Sequence, residues 1–403
     1  MLLGAFKTTY TPSLNAEANE PPLYIRRVKL GLQYIVKLKA FPQNPAYNSV
    51  FGDNLPELFR KKTKVIEPFY LRMQHHIHLA NIPMDHIMKF PDFQLPAWEL
   101  PEILVDTTLT AYPKGEYSPD VIQCKFFERI NNYYLNSVRF YTDGSKNADG
   151  VGCAVASEHE NTMSLRLHND CNIYSAELLA IKLALNIAAG NPNREFTIIS
   201  DSLSSLQAIE NVVTDHPTLL EIYKHLIQID RNNSHVYFLW VPSHVGIPGN
   251  EMADAGAQEA SRSGSTTLVP SSDLKSRIKK YCQEMFQQFW DSSNHKLYEI
   301  YPVLANIKRH NFKCRKDETR YHRVRLGHTH LTHSFMFNDN IPPVCEHCHV
   351  ILSVKHILLE CQHFRDEREH YLGNIETLND IFKLSDPYRV LNFLHAADVY
   401  QFI

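Results

Sequence analysis

The sequence lacks the features that announce several protein classes. No stretch approaches the roughly 18 consecutive apolar residues of a membrane span, so no membrane partner is expected. The start, Met1-Leu-Leu-Gly-Ala-Phe-Lys7, is too short and poorly ordered for a secretory leader. Eight cysteines in 403 residues are too few for a disulfide scaffold and point to a reducing compartment, cytoplasm or nucleus. Low-complexity tracts and internal repeats are not evident. Net charge is nearly absent: 41 Lys+Arg against 44 Asp+Glu leave −3. As an average this argues against a nucleic-acid binder, whose footprint is positive. What is present is ordinary globular composition, 44% hydrophobic and 21% charged, over roughly two to three domains' length.

The average hides a division. Residues 1–136 hold 15 Lys+Arg and 13 Asp+Glu, residues 137–262 hold 8 and 15, and residues 263–403 hold 18 and 16. The middle is therefore at −7. Within the last part, 305–333 holds eight basic residues (Lys308, Arg309, Lys313, Arg315, Lys316, Arg320, Arg323, Arg325) against Asp317 and Glu318. The expected organisation is an ill-defined Pro-rich segment 1–136, a domain 137–262, a helical and basic linker region 263–333, and a small C-terminal region 334–403.

Residues 1–136 say least. Arg26–Leu38 reads as an amphipathic helix entered through Glu20-Pro-Pro22. Prolines punctuate the stretch from Pro42 to Pro119. The cluster His75-His76-Ile77-His78 lacks nearby Cys or acidic ligands at fixed spacing and reads as surface. No Tyr-x-Asp-Asp or other paired-carboxylate motif occurs here.

The middle carries acids on recognisable elements. Ser137–Tyr141 is a β-type run ending in Thr142-Asp143-Gly144-Ser145. Gly152–Ala156 and Met163–Leu167 are further strands, and Tyr174–Ala188 is a helix with Glu177 in its first turns. Phe196–Ser200 is a buried strand ending at Asp201, followed by helices Ser202–Ile209 and Pro217–Asp230. His235–Val241 is a strand. A loop Pro242-Ser-His244-Val-Gly246-Ile-Pro-Gly249 leads to Asn250, read as the cap of a helix Glu251–Ser261 carrying Glu251 and Asp254. In a layered α/β fold, strand ends and helix starts meet at one sheet edge. Asp143, Glu177, Asp201 and Asp254 are therefore expected to converge. Clustered acids cannot all stay ionised without counter-charge. Two Mg²⁺ ions held by oxygen ligands resolve that, and together activate a water and stabilise a leaving phosphodiester oxygen.

The motifs YTDGS (141–145), YSAELLAI (174–181), IISDS (198–202) and WVPSHVGIPGNEMAD (240–254) resemble those of the type 1 ribonuclease H family. The resemblance covers roughly 137–262. It implies a mixed five-stranded sheet flanked by helices, and Mg²⁺-dependent hydrolysis of RNA in RNA–DNA hybrids, with Mn²⁺ as the alternative ion. Asp143, Glu177, Asp201 and Asp254 would be the metal-binding catalytic carboxylates, Asp143 bridging both ions and Asp201 holding the nucleophile-side one. His244 would assist proton transfer or product departure. Glu251, on the Asp254 helix face, and Ser145 would support them. Two departures stand out. The family's asparagine beside the helical Glu is replaced by Tyr174-Ser175-Ala176, with only Asn172 nearby. A basic handle is missing, since 202–253 offers only Lys224 and Arg231. A −7 domain binds a polyanion weakly by itself, so basic surface elsewhere is required.

The C-terminal part offers two candidates. Ser271–Phe289 is a long helical pattern, and the basic stretch after it interleaves Phe312 and Tyr321. Lys308, Arg309, Lys313, Arg315, Arg320, Arg323 and Arg325 are thus candidate contacts to hybrid or single-stranded nucleic acid. Cys345-x₂-Cys348, seven residues, His356, four residues and Cys361 have the spacing of a tetrahedral Zn²⁺ knuckle, with His347, His349 and His363 as rival ligands. The remaining cysteines (124, 153, 171, 282, 314) read as buried thiols. The segments GAF…EANEPPL…RR…KL…QY…KL, RYHRVRLGHTHLTHSFMF and CEHC…VKHILLEC, around the ribonuclease H motifs, resemble the C-terminal third of an arthropod-type non-LTR (LINE-like) retrotransposon polyprotein. This implies a mainly helical N-terminal segment that follows a polymerase. The reverse transcriptase itself would be a partner, since its catalytic aspartates are not in this chain. The chain would then be a truncated or separately encoded piece. The competing expectations are a catalytically inactive retroelement relic that only binds nucleic acid, or a different metal nuclease on the same fold. The intact acids and His244 favour the hybrid ribonuclease.

Overall fold

The computed structural model describes residues 3–52, 66–92, 95–157, 162–262, 264, 267–293, 296–307, 310–338, 341–383 and 386–403. Contacts group the chain into two compact units, Leu30–Lys279, and Met1–Lys29 with Lys280–Ile403. This division does not coincide with boundaries at 136, 262 and 333. Among the described residues no helix is long and apolar enough to cross a membrane.

The larger unit is built on a mixed sheet of six strands, in the order β1-β6-β5-β2-β3-β4. They are β1 Leu104–Asp106, β2 Val138–Lys146, β3 Val151–Ser157, β4 Met163–Leu167, β5 Glu195–Ser200 and β6 His235–Trp240. β2, β3 and β4 form an antiparallel meander, whereas β5 runs parallel to β2 and β6 parallel to β5. The expected five strands are all present, with the order of helices between them. The sixth, β1, corrects the five-stranded expectation. It comes from the Pro-rich segment and runs parallel to β6, Leu104 opposite Tyr237 and Asp106 opposite Leu239. Three residues are too few to show an alternating pattern, so nothing in the local sequence signals it. Asp106 pins it, accepting from Arg129 Nε at 2.6 Å, Tyr134 Oη at 2.9 Å and the Thr108 N–H at 3.0 Å.

Two apolar layers sandwich this sheet. On one face Leu178, Ile181 and Leu185 of the helix Ile173–Ala189 pack with Phe196, Ile198, Phe238 and Leu226. On the other, Ile122, Phe126 and Ile130 of the helix Pro119–Tyr133 pack with Tyr141, Ile199, Leu239, Val241, Val245 and Ala253. Ile198 and Ile199 face opposite layers, which is why β5 is buried on both faces from Phe196 to Ser200 rather than alternating with solvent. Each fully buried aliphatic or aromatic side chain contributes about 2 kcal/mol. Cys153 and Cys171 are buried as expected; Cys124, on the outer side of its helix, is exposed. His75, His76 and His78 lie on the helix Phe69–Leu79 and join no ligand cluster among the described residues.

The smaller unit is helical, and three of its arginines are drawn into its packing, Arg325 fully and Arg320 and Arg323 in part. Arg325, on the helix Arg315–Arg325, is 2% exposed. Its Nη2 lies 3.0 Å from Glu17 Oε2, and its guanidinium sits over the rings of Tyr301 and Tyr321. Arg323 stacks on Phe6 and donates to the Gly4 and Ile403 carbonyls. Arg320 stacks on Tyr400 and donates to its carbonyl at 2.7 Å. Burial corrects the reading of Arg325 as a nucleic-acid contact, whereas Arg320 and Arg323 are half-buried; the planar donors of Arg320 and Arg323 tie this helix to Gly4, Tyr400 and Ile403. Arg315 pairs with Glu318 at the surface, and Lys313 Nζ lies 5.5 Å from the Tyr388 ring centre. Lys308 and Arg309 lie outside the described residues. In the same unit Cys282 is buried, while Cys314, expected to be buried, is exposed.

Glu17→Gln is expected to destabilise this unit by about 3–5 kcal/mol, because it strands a buried guanidinium. Denaturant unfolding followed by far-UV circular dichroism reads this. A midpoint within about 0.5 kcal/mol of the native protein would show that the pair is not structural.

Candidate active site

The site begins with a missing neighbour. β5 accompanies β2 only as far as Ser200 opposite Thr142, whereas β2 continues to Lys146. Asp143 is therefore the first residue of β2 with β3 on one side, opposite Ala154, and no strand on the other. It lies within the strand, not at its end. It points to the same face as Tyr141, two residues earlier. Asp201 follows directly on β5. Glu177 comes from the opposite layer: the helix Ile173–Ala189 approaches so closely that a Cβ on Gly144 would lie 2.7 Å from the Glu177 nitrogen.

Asp143, Glu177 and Asp201 each bring a carboxylate oxygen to within 4.8 Å of the others. Asp143 and Glu177 are each 6% exposed. Asp254 groups instead with His244 and Glu251, whose ligand atoms are equally close together. Its charge nonetheless reaches Asp143 and Asp201 and raises both. Burial, then the charges of Asp201 and Asp254, push the Asp143 carboxyl up to about 8. Burial and the Asp143 and Asp201 charges hold Glu177 well above the usual carboxylate range. Asp201 is raised by burial but restrained by a hydrogen bond from Asn250 and by nearby His244. Such a set is unfavourable as it stands. One oxygen, Glu177 Oε2, is buried with no hydrogen-bond partner. Hard oxygen donors, crowded like charges and an unsatisfied carboxylate oxygen together fit a divalent cation.

The loop after β6 carries His244. Its backbone is left-handed (φ +51°), as is that of Gly246 (φ +79°). The imidazole is 68% exposed, with Nδ1 3.7 Å from Asp254 Oδ2. Glu251 Oε1 accepts from the Gly246 N–H at 3.2 Å, and Gln258 Nε2 donates to Asp254 Oδ1 at 2.8 Å. Ser145 follows on β2, half-buried, opposite Gly152.

Three residues play parts the sequence did not reveal. Asn250 is not a cap: the helix begins at Pro248, and Asn250 is buried inside its first turn, bonded to the Asp201 carboxylate. Its place one residue before Glu251 was the available signal. Trp240 is a strut, donating Nε1–H to the Asp201 carbonyl at 3.0 Å. Asn172 caps the Glu177 helix, accepting from the Ser175 N–H at 2.7 Å and donating to Asp273 at 3.0 Å. Its amide is thereby committed to structure.

The smaller unit holds a second ligand cluster. Cys345, Cys348, His356 and Cys361 bring their ligand atoms to within 4.8 Å of one another. The turn closes through Cys345 N–H to the Val350 carbonyl and His349 N–H to the Cys345 carbonyl, both 2.9 Å. A single π-turn, His356–Glu360, presents His356 and ends with the Cys361 N–H on the His356 carbonyl. Cys361 Sγ lies 3.8 Å from Sγ of both Cys345 and Cys348. That is far beyond a disulfide bond. It matches the edge of a tetrahedron with Zn–S bonds of about 2.3 Å, roughly 3.8 Å. Burial raises the Cys345 thiol, but the Cys348 N–H, the nearby His356 ring, the His347 N–H and Cys361 together outweigh it and lower the thiol; burial raises Cys361. His356 Nε2 is buried without a partner, while Nδ1 lies 3.8 Å from Glu360. The rivals His347 and His363 stack on each other instead, 3.8 Å between ring centres.

Comparison with known proteins adds an independent line. A sequence model of the RNase H family matches residues 135–262. The Pol polyproteins of equine infectious anemia virus strain Wyoming and of isolates 1369 and CL22 are each 28% identical over 189 residues. The match covers 45% of this chain and only 16% of those polyproteins, so the chain spans a small part of the relatives it resembles. Five of the six strands, β2 to β6, and the acids around the end of β5 fall on the stretch that the family model matches, and residues 135–262 form a ribonuclease H domain.

Proposed function

We propose that this chain hydrolyses the RNA strand of RNA–DNA hybrids at the Asp143 site. The observation that carries the reading is the meeting of Asp143, Glu177 and Asp201 where β2 loses its neighbour, with the Asp254 charge close enough to act on all three. Asp143, Glu177, Asp201 and Asp254 would hold two Mg²⁺ ions, or Mn²⁺. When bound, such ions lower the pKa of a water and stabilise charge on the phosphodiester oxygens. The chain's own residues do the rest. Asn250 and Trp240 fix the Asp201 side chain and backbone, so that its carboxylate stays aimed at the acids. Glu251 orders the His244 loop through the Gly246 N–H. His244, exposed beside Asp254, is placed to hold the proton that passes to the departing 3′ oxygen, as the water oxygen joins phosphorus and the P–O3′ bond breaks. Ser145 supports the β2 end. With Asn172 committed to capping and 137–262 at −7, affinity for the hybrid depends on other basic surface.

The Cys345, Cys348, His356 and Cys361 cluster would hold one structural Zn²⁺, oriented through Glu360 on His356 Nδ1. In the same reading the chain is part of a retroelement polyprotein of the non-LTR type, working with a reverse transcriptase supplied elsewhere. The Pol relatives support a retroelement context in general. Cleavage of a labelled RNA–DNA duplex in Mg²⁺ by the full chain tests the activity. Intact hybrid after prolonged incubation with folded protein would sink it.

The acid cluster also sets a pH dependence. Asp143 and Glu177 have folded-state pKa values above their unfolded ones. Between about pH 4 and pH 8 the folded chain therefore holds protons that the unfolded chain has released, and stability falls as pH rises through that window. In EDTA, melting is expected at a lower temperature at pH 8 than at pH 5, by an amount on the order of a few kcal/mol. Millimolar Mg²⁺ at pH 8 should recover it by binding only the folded form. A melting temperature in EDTA that is flat or rises over this range contradicts the arrangement.

A further inference from the structure

We infer that Gln123 is a positioning residue for His244, and that residues 104–134 complete an active site whose family match begins only at residue 135. The inference rests on the role of His244 proposed above. Gln123 stands on the helix Pro119–Tyr133 and donates from Nε2 to the Val245 carbonyl at 2.7 Å. Lys114, in the turn before that helix, donates from Nζ to Ser243 Oγ at 3.0 Å. The residues on either side of His244 are thus tied to the same N-terminal segment.

The loop needs such ties. His244 is not a glycine, yet its φ is +51°, and Gly246 follows at +79°. Left-handed backbone at a side-chain-bearing residue persists only where the surroundings impose it. Gly246 is also a contact: a Cβ there would lie 2.5 Å from Gln123 Nε2. Beneath the loop, Ile122 and Phe126 of the same helix are buried with Val241, Val245 and Ile247. The amide is therefore presented from a surface that is itself packed against the loop's root. A neutral donor suits the place, because it satisfies the Val245 carbonyl without adding charge to the loop that carries His244.

The test separates this hydrogen bond from packing and from the proposed chemistry. Gln123→Glu keeps the shape and exchanges the amide donor for a carboxylate. With a hybrid substrate at pH 8, both Gln123→Glu and Gln123→Ala are expected to lower kcat about tenfold with KM within about twofold, the size of effect a misplaced group produces. In a His244→Ala background neither change should lower kcat further, since a positioning residue acts only through its target. Wild-type kinetics in Gln123→Glu, or losses that add to that of His244→Ala, would overturn the inference. Hydrogen exchange over 242–249 needs no activity. It is expected to quicken about tenfold or more in Gln123→Glu, and unchanged exchange would overturn the clamp. An inactive native chain with quickened exchange in the variant would overturn the ribonuclease reading and leave the clamp standing.

Discussion

Asp143→Asn is expected to lower hybrid cleavage by on the order of a thousandfold or more, equivalent to about 4 kcal/mol of transition-state stabilisation. The asparagine keeps the shape of the side chain but loses one unit of the charge that would hold a cation among Asp143, Glu177, Asp201 and Asp254. The same change should leave the metal-free protein at least as stable at pH 8. It removes a buried carboxyl that burial and its neighbours push up to about 8. Loss of activity with retained or raised melting temperature is thus the signature, and it distinguishes an active-site change from misfolding. A variant retaining more than about a tenth of native cleavage would show that Asp143 does not hold the reacting site together, and the proposed mechanism would fall with it.

Replacing Cys345 and Cys348 together by serine is expected to remove about one equivalent of Zn²⁺ per chain, read by atomic emission on protein purified without added metal. The energetic effect should be large. A structural zinc site contributes on the order of 10 kcal/mol to the fold it closes, and the apo form of such a module is unfolded. Here the ligands come from a tight turn and a single π-turn, and Cys361 is fully buried. Beyond the ligands, the segment is held by a short backbone bridge around Val344 and Ile351 and the Arg368 bond to the Cys361 carbonyl, so protease sensitivity between 341 and 371 should rise sharply in the double variant. Zinc content equal to that of the native protein would rule the site out. Hybrid cleavage is the internal control, because the acids lie in the other unit.

What was legible in the sequence is what local pattern encodes. The strands of the meander, the buried β5 and the helix carrying Glu177 follow from periodicity. Asp201 and Glu177 follow from their places after a strand and in the first turns of a helix, whereas Asp143 falls inside β2, three residues short of its end. Cys345, Cys348, His356 and Cys361 follow from chelate spacing. What escaped depends on partners remote along the chain. Arg325 looked like a nucleic-acid contact because a count of charges cannot see Glu17, some three hundred residues away, buried against it. Gln123 carried no signal, since its partner is the backbone carbonyl of Val245. Asn250 was misplaced by its chemistry: an asparagine before an acidic helix reads as a cap, yet Pro248 had already opened the helix and freed the amide for Asp201.

The short strand β1 has a consequence for how the domain can be cut. A fragment starting at residue 135, where the family match begins, would leave β6 as a bare sheet edge, with the N–H and C=O groups of Tyr237, Phe238 and Leu239 open to any passing chain. It would also strip the Pro119–Tyr133 helix from Tyr141, Leu239 and Val241, turning a core layer into an adhesive surface. In this protein the Pro-rich segment acts as the selvedge of the sheet, and a fragment that keeps both β1 and this helix has to start before Leu104.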